Sequence, residues 1–241
     1  MFEREELQPG EYTSISGWLR GQTSYNAFHF SAQPKINLQA GGFVAIDRSV
    51  PVYQAGEVPA QSLEEAWHTV RQYVEEACEL VHAGDECPRL DKDEIDMILT
   101  GLGRPPPPCY PVYFIAVRDR ASEEERLVYV GKTSSSSNRF SGGHAALTKL
   151  HDPLYDGTDK VLYLGTVMLQ DIDNEYLPLE AVQPLEKAKA MLVSIEAQLI
   201  YELKPELNTQ GRARDNTRSP LNVIHIQNSI SKFLQNTFVF R

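Results

Sequence analysis

The sequence predicts an α+β fold in which helices flank a small sheet, with an additional mixed domain in front of it. Two β-rich runs, Tyr110–Val117 and Leu127–Val130, bracket the charged stretch Arg118–Arg126 as an antiparallel hairpin would, and Val161–Leu169 supplies a third strand. Two long stretches, starting at Ser62 and Pro184, repeat apolar residues at helical spacing. Between them the four prolines Pro105–Pro108 punctuate the chain. They lack amide hydrogens and favour an extended polyproline conformation, so they end one region and space the next.

Residues 1–60 are rich in Gly, Pro, Ser and Gln, with short alternating stretches at Tyr25–Phe30 and Gly42–Asp47 that read as strands of open topology. Ser62 and Glu65 form a capping box. Behind it Ala66, Trp67, Val70, Tyr73, Val74, Ala77, Cys78 and Val81 make one helical face, which Gly84 stops. Asp91 with Glu94 caps a shorter helix that buries Ile95, Ile98, Leu99 and Leu102. After the hairpin, Gly131-Lys132-Thr133 leads into a serine-rich loop, and Ala145, Leu147 and Leu150 mark a helix. Pro184 suits the first turn of a long helix carrying Leu185, Ala188, Leu192, Ile195, Leu199 and Leu203, and Pro205 closes it. Leu221–Phe240 is apolar enough to pack back on the domain. The division that results is an acidic N-terminal domain at 1–104, a proline linker at 105–108 and a second domain at 109–241.

The 241 residues, 41% apolar, suffice for one domain or two small ones. Cys78, Cys87 and Cys109 form no metal-ligand cluster and cannot all pair, so three free thiols in a reducing, cytoplasmic setting are expected. No leader or membrane-spanning stretch is legible, so no membrane partner is expected. The net charge of −10 lies entirely in residues 1–100, with seven Lys/Arg against seventeen Asp/Glu; residues 101–241 carry sixteen of each. A generic nucleic-acid coat is excluded by that total, whereas a locally basic cleft in the second half is not.

Six polar residues of that half stand out: Tyr113, Tyr129, Arg139, His144, Glu196 and Asn208. Glu196 follows Ile195 and precedes Leu199 by three, at the border of the apolar stripe, where a carboxylate calls for a partner. Taken singly, each residue has an ordinary reading: tyrosines in a sheet, a surface arginine, a helix-border glutamate. As an ordered set they resemble the GIY-YIG nuclease family over roughly residues 110–211. Pro111-Val112-Tyr113 stands at the first signature tripeptide and Tyr129-Val130-Gly131 at the second; Arg139, His144, Glu196 and Asn208 follow in order. Pro111 replaces the first glycine, and His144 lies five residues past Arg139 where the family commonly has four.

The resemblance implies a small antiparallel three-stranded sheet flanked by helices and a divalent-metal-dependent endonuclease acting on double-stranded DNA, of restriction or defence type. It makes Tyr113, Tyr129, Arg139, His144 and Glu196 catalytic, with Lys132 and Asn208 supporting. Glu196 would hold Mg²⁺ or Mn²⁺, a hard ion suited to oxygen ligands. Arg139 would grip a non-bridging phosphate oxygen with its donor fork. A phenol is a poor base at neutral pH unless Lys132 or the metal favours its ionised form. Lys132, Arg139, Arg212, Arg214 and Arg218 would contact the nucleic-acid backbone. The N-terminal domain would supply dimer or partner contacts. Two alternatives are a DNA-binding module of the same fold without catalysis, and an acidic interaction or regulatory protein.

Overall fold

The computed structural model describes residues 15–21, 25–26, 41–58, 61–81, 86–87, 89–133, 145–170, 176–218 and 221–241. In chain order the elements are α1 (Ser16–Leu19), β1 (Tyr25–Asn26), β2 (Gly41–Pro51), α2 (Leu63–Val81), β3 (Glu86–Cys87), α3 (Lys92–Gly101), β4 (Val112–Asp119), β5 (Glu125–Lys132), α4 (Ala145–Lys149), β6 (Thr158–Gln170), β7 (Tyr176–Pro178), α5 (Leu185–Leu203), β8 (Val223–Asn228) and β9 (Thr237–Phe240). Short 3₁₀ turns occupy Val52–Glu57, Pro153–Tyr155 and Leu179–Ala181.

Local signals produce the helices. Ser62 Oγ accepts from the Glu65 amide at 3.1 Å while the Glu65 carboxylate accepts from the Ser62 amide at 2.9 Å. Asp91 and Glu94 repeat this reciprocal cap at the head of α3. Together these bonds satisfy orphan donors of a first turn. Pro184 caps α5 from outside, and Lys204, in a left-handed conformation, ends it by donating its amide to the Ile200 carbonyl.

The expected three-stranded sheet is corrected to a seven-stranded mixed one, ordered β5-β4-β6-β2-β8-β9 with β7 also on β6. β5, β4 and β6 are adjacent and antiparallel. The far edge of β6, however, pairs with β2 from Val161 to Gln170, and β2 pairs in parallel with β8. The physical reason is that β6 offers two pairing edges: the apolar strand at 41–51 covers the one the hairpin leaves open and in turn takes the strand at 223–228 on its own far edge. The hairpin itself reaches further than the hydrophobic runs, because Asp119 Oδ1 accepts from the Ala121 and Ser122 amides at 2.8 Å and tightens the turn.

Both faces of the sheet are covered around β4, where Val112 to Val117 are all buried. On one face Val112, Phe114, Ala116, Val44 and Ile224 pack with α2 and α5; on the other Tyr113, Ile115, Leu162 and Leu164 pack with Leu150 and Tyr155. Asp47 occupies a bulge between Ile46 and Arg48 in β2. It is buried, and neither carboxylate oxygen meets a partner of normal hydrogen-bond geometry among the described residues. Burial drives its pKa up to about 7, against weaker opposing pulls from its own backbone and Arg48.

Cys78 is disulfide-bonded, which corrects the expectation of three free thiols. Cys109 is free and buried. Burial first, then the nearby carboxylates of Glu180 and Glu65, holds its thiol well above the usual range. Iodoacetamide at pH 8 is therefore expected to leave Cys109 unmodified in the folded protein and to alkylate it on unfolding, read by peptide mass spectrometry; carbamidomethylation in the native state contradicts this. Among the described residues no helix is long and apolar enough to cross a membrane.

Candidate active site at the open edge of the hairpin

β5 forms one margin of the sheet, so alternate residues of its backbone turn their polar groups away from β4. Three sequence-predicted elements meet this row. The Leu207 amide donates to the Val128 carbonyl at 2.8 Å. Asn208 acts as a surrogate strand: its Oδ1 accepts from the Val130 amide at 2.9 Å, and its Nδ2 donates to the Val130 carbonyl at 2.8 Å. Glu196 Oε1 accepts from the Lys132 amide at 3.1 Å. The Lys-Pro-Glu-Leu-Asn run after α5 thus serves as an edge cap, which motif spacing alone did not reveal. Its signal is physical: a buried side-chain amide needs a backbone partner.

The same Glu196 carboxylate takes a second bond, from Lys132 Nζ to Oε2 at 2.8 Å, with the side chains only 17% and 24% exposed. Lys132 stands opposite Val112, on the face covered by α5. Tyr113 and Tyr129 lie on the other face, their rings stacked at 6.0 Å with 29° between planes. Tyr113 is fully buried and Tyr129 half-buried, so of the two phenols Tyr129 has access to solvent. Gly131, opposite Tyr113 in the hairpin, is there for clearance: a Cβ would overlap Tyr113 Cζ and Oη and come within 2.8 Å of Tyr129 Cε1. The aromatic ring covers the glycine of an edge strand, a known way of stabilising one.

Arg139 and His144 lie outside the described residues. Arg212, Arg214 and Arg218 are exposed beyond the edge cap, and Arg212 donates to the Glu206 carbonyl at 3.2 Å. Sequence reasoning missed a hollow of about 420 Å³ on the tyrosine face, lined by Thr148, Lys149, His151, Asp152, Leu154, Tyr155 and Leu207. It also missed Glu206, which accepts from Tyr155 Oη at 2.7 Å and pairs with Arg126. Both follow from the turn after α5 folding under β5.

The donor set suits one kind of ion. No group of three or more His, Cys, Asp or Glu side chains gathers among the described residues, and Glu196 is the carboxylate bonded to the Lys132 end of β5. Magnesium keeps several waters and accepts one or two carboxylates plus substrate oxygens, so the residues present fit it in that mode. Lys132 is the resident counter-ion that such an ion would displace from Oε2. Compared with family models, curated proteins and solved structures, the chain gives no match.

Proposed function

We propose that this edge hydrolyses phosphodiester bonds in double-stranded DNA with a divalent cation, Mg²⁺ or Mn²⁺, held by Glu196. The observation that carries the reading is the convergence of Lys132, Glu196 and Asn208, separated by up to 76 residues in sequence, on one stretch of β5, a strand whose opposite face carries the stacked pair Tyr113–Tyr129. The ordered resemblance to GIY-YIG nucleases supports it further. When bound, the ion supplies Lewis-acid polarisation of the phosphate.

The chain's own residues divide the remaining work. Lys132 Nζ, freed from Oε2, neutralises a non-bridging phosphate oxygen as a point charge. Tyr129, half-buried on the opposite face of β5 from Glu196, would reach the attacking water only around the margin of that strand. Tyr113 positions Tyr129 by stacking. Asn208 holds the Val130 peptide and hence the level of Tyr129 and Gly131. Arg212, Arg214 and Arg218 provide backbone contacts for the duplex beyond the site. The setting, restriction or defence, rests on the family resemblance alone.

Supercoiled, linear and branched DNA incubated with Mg²⁺ or Mn²⁺ tests the reading. Glu196→Gln is the informative variant, since its amide oxygen still accepts from the Lys132 amide while the anionic ligand is gone. Cleavage is expected to fall roughly 10³-fold with the fold intact. Parental cleavage by Glu196→Gln would remove the metal assignment. A second reading, a DNA-binding module without catalysis, is favoured by the way Lys132 already neutralises Glu196; it requires duplex binding with no nicking in any divalent ion.

A further inference from the structure

The opposite margin of the sheet carries a second constellation. Register places Phe43 of β2, His225 of β8 and Phe238 of β9 directly beside one another, and Phe240 follows two residues along β9 on the same side. The rings are in continuous contact. Phe43 meets His225 edge-on at 5.1 Å, His225 stacks on Phe238 at 4.2 Å with 6° between planes, and Phe238 lies near-parallel to Phe240 at 6.0 Å. His225 is held by its Nε2 against Asn236 Oδ1 at 3.0 Å, so it backs Phe238 as a fixed plate.

The two outermost rings are not covered: Phe238 is 47% and Phe240 64% exposed. Large apolar rings left in water on a sheet margin mark a binding surface more often than a structural one. Charge identifies the occupant. The chain as a whole is at −10, yet after Asp215 it contains no Asp or Glu at all, while Arg218, Lys232 and Arg241 are exposed. Asp215 and Arg241 pair with each other at 3.2 Å, which leaves Arg218 and Lys232 as the net positive charge of this stretch. A second copy of this margin would bring the same cations face to face. A polyanion that also carries flat aromatic groups satisfies both features.

We propose that the β8–β9 margin binds an unpaired nucleotide segment, with bases stacked on Phe238 and Phe240 and phosphates facing Lys232. Sheet-borne aromatics with neighbouring cations are the general physical solution for single strands, because every base has a π-face. This surface lies across the sheet from Glu196 and does not depend on the cleavage reading.

Fluorescence anisotropy with labelled ten-nucleotide oligo-dT and oligo-rU, in EDTA at low salt, tests it; the tighter of the two identifies DNA or RNA as the source. Phe238→Ala and Phe240→Ala are each expected to weaken binding about tenfold, while Phe240→Trp retains it. An abasic strand of equal length should bind no better than the double alanine variant. Circular dichroism confirms that the variants fold. Equal binding of the abasic strand, parental affinity in Phe240→Trp and both alanine variants alike, or a dimer that Phe240→Ala dissociates in sedimentation, the mark of a second copy on this face, overturns the proposal. Because metal is absent, a failure of DNA cleavage leaves the outcome unaffected.

Discussion

Replacing Asp47 by asparagine is expected to remove a pH-dependent loss of stability worth about 4 kcal/mol between pH 4 and pH 8. The carboxyl titrates near 3.8 as an ordinary aspartate and at about 7 in the folded chain, where burial is the leading cause. Between those values the native state keeps a proton that the unfolded chain has released. Stability from this group is therefore full below pH 3.8, declines as pH rises through the window, and stays low above 7. Three units at about 1.4 kcal/mol each give the magnitude. Asparagine has nearly the same shape and no charge to bury. Urea unfolding of both proteins at pH 5, 6, 7 and 8 checks this: the parent should lose stability relative to Asp47→Asn from pH 5 to 7 and level off by pH 8. Parallel pH profiles would mean that the carboxylate is solvated or paired in solution.

A second large effect is expected at Gly131. Alanine there places a methyl group where Tyr113 Cζ and Oη already lie and close to Tyr129 Cε1. The far end of a side chain can often swing aside, but Tyr113 is fully buried, stacked on Tyr129 and wedged among Ile115, Val128 and Leu164. Overpacking of this kind costs about 1–3 kcal/mol, and either the ring pair or β5 must give. If the rings move, Tyr129 leaves its position and the cleavage proposed above falls with stability. A double-mutant cycle separates the causes. Gly131→Ala combined with Tyr113→Ala should cost less than the sum of the two single changes, because removing the ring makes the room the methyl group needs. Simple additivity in thermal or urea unfolding would show that the glycine serves some purpose other than clearance.

The helices were legible because their instructions are local. Ser62 with Glu65, Asp91 with Glu94, and Pro184 ahead of an apolar stripe are each read within four residues, and each is found in place. Strands were legible as strands, but their neighbours were not. Alternation at Gly42–Asp47 announces a half-buried strand without saying that it joins β6 and β8, each more than 100 residues away. An expectation built on hairpin and third strand consequently stopped at three members. At the candidate site, Glu196, Lys132 and Asn208 could be singled out by residue type, yet their attachment to the β5 margin runs through main-chain groups that a side-chain pattern does not display. The aromatic row on β8 and β9 escaped for the same reason, since it exists only once parallel and antiparallel registers set Phe43, His225 and Phe238 level.

The central position of β2 bears on how the chain is made. Synthesis at about 5–20 residues per second separates Gly41 from Val223 by roughly 10–40 s. Throughout that interval β2, the earliest long strand among the described residues, waits for its parallel neighbour. One margin of β2 can be covered once β6 at 158–170 is made, but the other stays without its partner until β8 at 223–228 is added, so the nascent chain carries one open apolar edge until then.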